Sequence, residues 1–350
     1  MNTRALRAPR GHGALCLHNA AMVFYTPAWF DTLRRHGLAH TPEPFQVPCG
    51  GPVGGAVLHL MRAVQGPGLE ALSNYYSGLY GPDGPVLHLD DADWRAVGRA
   101  IRQLPHSGVL RLQPLDVQSP WLPRLEQGLR SAGYWLDRYF CFGNWHQPVA
   151  AGGFIAYWSE RPSALRHTVE RARRRLDRAG DWRIDVVGSA ALPARDDALR
   201  MAIEAFTAVY RQSWKQPEPR EDFIPSLIGL AAREGWLRLG VLWFQGQAVA
   251  SQLWLVQGGK ASIYKLAYVA GHERLSAGSV LTAALMQHVI DVDQVTELDY
   301  LSGDDAYKAD WMTMRRERVG VVAFHPLSVQ GWLAGARHAA GRLRLWKMHA

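Results

Sequence analysis

The chain has 350 residues, of which 48% are hydrophobic, and a formal net charge of +8. This length suits two domains, and the apolar content excludes a largely disordered chain. Of the 39 basic residues only five are lysines, which leaves 34 arginines. Because a strong preference for one basic residue reflects coding bias, the net charge is weak evidence for nucleic-acid binding.

Cysteine content and hydropathy indicate a compartment. Cys16, Cys49 and Cys141 are widely separated and form no zinc or redox motif, which favours a reducing environment. No apolar run approaches the roughly 20 residues that a spanning helix needs, and residues 4–25 lack the core of a signal peptide. We therefore expect a cytoplasmic protein that binds no metal.

The N-terminal half contains short apolar runs between connections rich in Gly and Pro. The pattern predicts strands at 55–64, 85–89, 109–112 and 139–145, and helices at 92–104 and 120–132. The Gly cluster at 50–55 lacks the strand-loop-helix setting and the Lys of a phosphate loop. This half is predicted to be a mixed α/β domain without a chemical motif.

A basic helix is predicted at 163–180. Leu165, Val169, Ala172 and Leu176 fall on one face, and arginines between 166 and 178 cover the others. Glu170 and Arg174 are spaced to form an ion pair. Two interpretations remain open: a solvated basic face, or a surface that binds a polyanion such as RNA or cofactor phosphates.

The C-terminal half has a regular order of elements. Strand 182–187 precedes helices 195–211 and 223–233, and Gly-containing turns join strands 237–244, 248–256 and 260–268. Helix 279–290, strand 296–301, helix 307–317 and strand 320–325 follow. The predicted order is β-α-α-β-β-β-α-β-α-β.

This order, together with local sequence, resembles the GNAT N-acetyltransferases. The segments are SWK (213–215), IYKLAY (263–268), LSAGSVL (275–281), ELDYLSGDDAYKADWM (297–312) and RRERVGVVAFHP (315–326). They look like the CelD/BcsL-like acetyltransferases associated with cellulose and exopolysaccharide synthesis, and they are distantly similar to Fem-type transferases. The resemblance implies an α/β fold (α+β, mixed sheet) with tandem GNAT-like domains. A degenerate one would occupy 15–150, a complete one 151–330, and a basic amphipathic tail 331–350.

The resemblance also implies a co-substrate, acetyl-CoA or another acyl-CoA. The GNAT pyrophosphate loop reads Gln/Arg-x-x-Gly-x-Gly/Ala, whereas residues 271–279 read GHERLSAGS and keep only Gly278 among small neighbours. Backbone N–H groups at this helix start would face the phosphates, and Ser276 or Ser279 is expected to cap the helix. The predicted cofactor-binding residues are Leu266, Ala267, Tyr268, Ser276, Ala277, Gly278 and Ser279, the first three around the oxyanion donor.

The predicted catalytic groups follow in the chain. By resemblance, Tyr307 would protonate the leaving thiolate. Asp299, Asp304 or Asp305 could take the amine proton, and Asp299, inside a strand, needs a partner such as Lys308 or Lys265. The open alternatives are a structural ion pair for Asp299 and helix capping for Asp304.

Substrate contacts are predicted for Tyr264, Lys265 and Trp214. Because Tyr264 and Tyr268 are four residues apart in a strand, we expect them on one face, where they line an acceptor groove or pack.

The predicted function is acyl-CoA-dependent N-acylation of an amine on a sugar, a polysaccharide precursor or another small acceptor. One alternative is a Fem-like transferase that uses aminoacyl-tRNA. The other is an inactive GNAT scaffold in a polysaccharide-synthesis assembly. The tail at 331–347 is expected to pack on the protein or touch a membrane surface.

Overall fold

The computed structural model describes residues 22–39, 44–50, 55–188 and 196–349, and Cys16, Arg195 and residues 1–21 lie outside these ranges. The strands are β1 (Pro44–Cys49), β2 (Ala56–Arg62), β3 (Leu69–Ala71), β4 (Val109–Asp116), β5 (Trp135–Pro148), β6 (Trp182–Val187), β7 (Leu237–Phe244), β8 (Gln247–Gln257), β9 (Lys260–Tyr268), β10 (Glu297–Asp299) and β11 (Met314–Phe324). The helices are α1 (Pro27–Thr32), α2 (Asp91–Gln103), α3 (Leu122–Ser131), α4 (Gly153–Ser159), α5 (Ser163–Ala179), α6 (Asp196–Arg211), α7 (Phe223–Arg233), α8 (Ala277–Asp291), α9 (Lys308–Trp311) and α10 (Val329–His349).

All of these strands belong to one mixed sheet. Its order is β1-β2-β3-β4-β11-β5-β10-β9-β8-β7-β6. Each half of the chain contains three strands, a helix, a fourth strand, a helix and a last strand, and in the second half β6 precedes this order. The last strands are exchanged: β11 pairs with β4 of the first half, and β5 pairs with β10 of the second. The mixed α/β class and the prediction of two similarly built halves are therefore confirmed, while the domain boundaries at 150 and 330 stay predictions.

Two large hydrophobic cores cover the sheet, beside a small cluster of Val109, Val322 and Phe324. One contains residues of α1, α2, α3, α6 and α7, and the other contains residues of α4, α5 and α8. Along β9, Ala267 belongs to the first core while Leu266 and Tyr268 pack against the second. The alternation places the two cores on opposite faces of the sheet.

Most predicted elements of the second half are confirmed, because their periodicity reports burial directly. The predicted strand at 85–89 is wrong: Leu89 N donates to Val86 O in a turn, and both side chains are buried. The predicted helix 307–317 is also wrong, because only Lys308–Trp311 are helical. From Met314 onward the chain pairs with β5 along its length, and this pairing overrides the helix preference of RRER.

β9 and β10 separate after a short parallel contact. Their pairing covers only Lys260–Ser262 against Glu297–Asp299, and beyond it β9 continues alone to Tyr268. β9 also carries a bulge, since Ile263 and Lys265 pair with consecutive residues of β8 and Tyr264 is the extra residue. The result is a V-shaped opening in the sheet, which we call the gap.

Among the described residues no helix is long and apolar enough to cross a bilayer. In the predicted tail, α10 carries His338 and Arg342, which both bind Asp137 of β5 at 2.7 and 3.0 Å. Trp332 on the same helix is 60% exposed. The helix is therefore anchored on the protein's own sheet.

Candidate active site

A large cavity of about 680 Å³ opens on the α8 side of the gap. Its walls are the start of α5, the segment before α7, strands β8 and β9, the first turns of α8, and α9. The lining residues are Ala164, Leu165, Thr168, Trp214, Lys215, Gln252, Leu266, Tyr268, Gly278, Ser279, Thr282, Tyr300, Asp305, Tyr307, Asp310 and Trp311.

A small cavity of about 160 Å³ lies on the other side of the gap. It is more polar, with hydroxyl and ammonium groups from Tyr75, Ser302, Lys215, Lys265 and Lys308 among its walls. Five residues line both cavities: Lys215, Leu266, Tyr300, Asp305 and Tyr307. The two spaces therefore meet at the gap, where a group held on one side can react with a group held on the other.

The start of α8 presents backbone donors to the large cavity. Ser276 adopts a left-handed conformation (φ 48°) and makes no side-chain cap, so the predicted capping by Ser276 is wrong. In the described part of the chain, the N–H groups of Ala277 and Gly278 have no backbone acceptor. A Cβ on Gly278 would meet only a ring carbon of Tyr268, at 3.4 Å, and would take up cavity space. The residues present therefore fit an anionic group at this helix start.

Gln252 fixes the position of that helix start. Its Nε2 donates to Gly278 O at 3.0 Å and to Thr282 Oγ1 at 2.8 Å, and its Oε1 accepts from Trp254 Nε1 at 2.9 Å. With this side chain fully used, the first turn of α8 is tied to β8.

The free edge of β9 presents backbone N–H donors to the gap. Val269 N donates to Val249 O across the β8–β9 ladder. Since N–H directions alternate along a strand, the N–H groups of Leu266 and Tyr268 point toward the gap. Leu266, which lines both cavities, thus has the location predicted for the oxyanion donor, and Ala267 instead packs in the first core.

Tyr307 stands where the cavities meet. Its side chain is 44% exposed and its ring lies edge-on to Tyr300 at 6.0 Å. Desolvation and the nearby Asp305 carboxylate raise the pKa of Tyr307 to about 12. The hydroxyl therefore keeps its proton at neutral pH, as a general acid must.

Two charged residues accompany Tyr307. Asp305 is 61% exposed and lies 3.2 Å from the Lys308 ammonium. The Lys215 ammonium makes no hydrogen bond or ion pair in the described ranges, and burial together with the Lys265 ammonium lowers the pKa of Lys215. Lys215 and Asp305 are the charged groups common to both cavities.

The predicted substrate residues fall on different sides of the gap. Tyr264 donates its hydroxyl to Tyr76 O, and Lys265 binds Glu218 at 2.7 Å beside the ring of Tyr75. Trp214 instead lines the large cavity, against the ring of Tyr268 at 4.2 Å. Because of the bulge, Tyr264 and Tyr268 lie on opposite faces of β9, so the expectation that they share a face is wrong.

Asp299 is fully buried outside both cavities. It accepts hydrogen bonds from Asn144 Nδ2 and Leu301 N, each at 2.6 Å, and from Arg316 Nη2 at 2.5 Å. Burial alone would raise the pKa of Asp299, but the charges of Arg316, Lys260 and Arg318 outweigh it and hold that pKa well below its usual value. The predicted partners of Asp299, Lys308 and Lys265, are therefore wrong. Asp299 instead forms a buried structural ion pair with Arg316.

Asp304 and Lys308 organise the loop before α9. Asp304 accepts from Arg315 Nη2 at 2.6 Å and from Trp145 Nε1 at 2.9 Å, so it neither caps a helix nor lines either cavity. The Lys308 ammonium is buried and donates to Ser302 O and Gly303 O. Its role as partner of Asp299 is replaced by this bracing of the loop that carries Asp305 and Tyr307.

Sequence reasoning assigned no role to three residues that line the cavities. Gln252 lies outside the segments that carry the resemblance, Tyr300 lies within one of them, and Lys215 appeared only as the last residue of SWK. The signal available for Lys215 was its place in SWK between two predicted helices. In the residues that the structure describes, no group of three or more His, Cys, Asp or Glu side chains is placed to hold a metal ion.

Residues 163–309 match the family model described as an acetyltransferase (GNAT) domain. The matched range begins with α5 and ends in α9, so it contains both edges of the gap. This part of the chain is therefore similar to an acyltransferase domain of the GNAT type. No curated protein sequence matches the chain.

Several solved structures share the fold of the whole chain. FemX is 11% identical with a TM-score of 0.60, over 86% of this chain and 92% of that one. The C-terminal domain of a putative lysylphosphatidylglycerol synthetase from Agrobacterium fabrum is 16% identical with a TM-score of 0.50, over 83% and 89%. L-PGS from Bacillus licheniformis is 13% identical with a TM-score of 0.50, over 91% and 98%. At these identities the likeness shows the fold alone.

Proposed function

We propose that the protein is an acyl-CoA-dependent N-acyltransferase, with acetyl-CoA as the simplest donor and a small polar amine as the acceptor. The observation that carries this proposal is the gap, which joins the large cavity beside the α8 start to the small polar cavity. An acyl-CoA bound in the large cavity supplies a thioester carbonyl. The start of α8, with Ala277, Gly278 and Ser279, would hold its phosphates.

The residues at the gap can support each step of transfer. The Leu266 N–H would stabilise the oxyanion that develops on the carbonyl as the amine attacks. Asp305 would take the proton that the amine loses, and Tyr307 would donate its proton to the sulfur as the carbon–sulfur bond breaks. The atoms balance, since one proton leaves nitrogen and one reaches sulfur.

The small cavity supports a hydroxyl-bearing acceptor. Tyr75, Ser302 and Lys215 can exchange hydrogen bonds with a sugar or another polar amine. We therefore keep an amino sugar or polysaccharide precursor as the proposed acceptor class. The link to exopolysaccharide synthesis and the cytoplasmic location are proposed with it.

A second candidate is transfer from aminoacyl-tRNA, favoured by the arginines of α5, none of which forms an ion pair with another described residue. In this candidate the amine would attack an ester carbonyl, the carbon–oxygen bond to the ribose would break, and Tyr307 would donate its proton to the leaving ribose oxygen instead of to sulfur.

The test is a transfer assay with acetyl-CoA, longer acyl-CoAs and aminoacyl-tRNA against a panel of amino sugars and simple amines. We expect amine-dependent release of free thiol from acetyl-CoA. Transfer from aminoacyl-tRNA alone would establish the second candidate instead. CoA binding without thiol release for any amine would indicate an inactive scaffold and contradict the proposal.

A further inference from the structure

α5 forms one wall of the large cavity with its first residues and continues past the cavity with the rest of its length. Ala164, Leu165 and Thr168 of this helix line the cavity, and the helix packs against α8. Residues three and seven positions after Thr168 lie on the same side of a helix, about one and two turns further along. Those positions are Arg171 and Arg175, which we call the arginine row.

The charges of the arginine row are not neutralised by the protein. Arg171 Nη2 lies 3.5 Å from Thr168 Oγ1, which directs it toward the cavity-lining residue. Neither arginine forms an ion pair within the described ranges. The expected pair between Glu170 and Arg174 is wrong, because Glu170 instead lies 3.7 Å from His167. The row is therefore open to an external anion.

The large cavity has too little positive charge of its own to bind a ligand with several phosphates. Its lining holds one cationic side chain, Lys215, and two carboxylates, Asp305 and Asp310. The start of α8 offers backbone donors without a side-chain cation, and its loop has lost most of the glycines of the GNAT pattern. A ligand with several phosphates would remain largely uncompensated by these groups alone.

We propose that Arg171 and Arg175 bind the phosphate groups of the CoA nucleotide, in place of the eroded loop. This inference rests on the proposed function. Guanidinium groups bind phosphate oxygens in a bidentate fashion. Two arginines one turn apart are spaced by about 6 Å along the helix, which suits a compact nucleotide beside the cavity. A tRNA would instead engage the whole basic surface of α5, including Arg173 and Arg174.

The experiment measures calorimetric affinity for CoA, for dephospho-CoA and for pantetheine, which lacks phosphates. The test variant is Arg171→Gln/Arg175→Gln. The matched control is Arg173→Gln/Arg174→Gln, which removes the same charge from other sides of the helix. We expect the test variant to bind CoA about tenfold more weakly per arginine, with pantetheine unaffected and the control at the wild-type value.

Two results would overturn the inference. A test variant that binds CoA as tightly as wild type would remove the arginine row from the site and leave the proposed function intact. An equal loss in the control would indicate a diffuse basic surface, as RNA binding predicts. Absence of CoA binding in the wild-type protein would instead contradict the proposed function itself.

Discussion

The two halves of the chain repeat one order of elements, yet one half is closed and the other is open. In the first half, α3 packs backbone to backbone on α2, since a Cβ on Gly98 would lie 2.2 Å from Gly128 O. In the second half the corresponding helix is α9, a single turn of four residues. Asp310 and Trp311 of this short helix line the large cavity.

The start of α2 is also closed to a ligand, whereas the start of α8 is open. Asp90 accepts from the N–H groups of Ala92 and Asp93, and the Asp93 carboxylate accepts from Asp90 N. These two acids satisfy the donors at the start of α2 and repel an anion. The start of α8 has no acid and no side-chain cap. The repeated helix is therefore sealed in one half and accessible in the other.

The two halves also differ in the space between the third and fourth strands of the repeat. Past β3, Ser73 Oγ donates to Gln113 O and Tyr80 N donates to Pro114 O, so the chain itself fills the opening next to β4. Past the β9–β10 contact the opening is the gap. The order of elements therefore does not by itself create a binding site. The length of the second helix, the capping of the first helix and the path of the chain after the third strand decide whether the site is open.

The largest expected effect is at the seam where strands of the two halves meet. Arg316→Met would leave Asp299 buried without its main partner and lower the free energy of unfolding by about 3–5 kcal/mol. Urea unfolding measures this. The control Arg315→Met removes an exposed partner of Asp304 and should change stability little. Equal losses in both variants would contradict a special role for the buried pair.

The ion pair between Asp299 and Arg316 should also make the stability of the protein depend on pH. Because the pKa of Asp299 is lower in the folded than in the unfolded protein, its stabilisation is present above the ordinary aspartate pKa and is lost as pH falls through the folded value. The stability difference between wild type and Arg316→Met should therefore shrink in acid. A difference that grows below pH 4 would contradict the assignment.

Tyr307→Phe should reduce turnover by about 100-fold or more, because the thiolate loses its acid. The affinity for acetyl-CoA should change little, since the ring remains. Steady-state kinetics and calorimetry separate these quantities. An unchanged turnover would remove Tyr307 from the mechanism.

Changing the charge at the two helix starts should affect CoA binding in one half and only stability in the other. Ser279→Asp gives α8 an acid like those of α2 and should weaken CoA binding about tenfold without destabilising the helix. The reciprocal change, Asp90→Ala, should lower the thermal midpoint slightly and leave acyl transfer at the wild-type rate. Loss of transfer in Asp90→Ala would show that the first half has a part in the chemistry.

Much of the second half could be predicted from its sequence. Strands β6, β7 and β9 and helix α7 have the predicted bounds, because their apolar periodicity and glycine turns act locally. The positions of Leu266, Gly278 and Tyr307 at the cavities also agree with the resemblance, and their roles stay predictions.

The remaining features depend on contacts that are distant in sequence. The partner of Asp299 lies in a stretch predicted as helix, and only pairing with β5 makes that stretch a strand. The bulge at Tyr264 shifts side chains between faces without a local signal. Lys215 became a candidate only when the fold brought residues 215, 266 and 305 to one opening.

Calorimetric titration of the full chain with acetyl-CoA shows whether one half is open to an acyl donor while the other is sealed. We expect one site per chain, weakened by Ser279→Asp and unaffected by Asp90→Ala. No binding, or two equivalent sites per chain, would contradict this expectation.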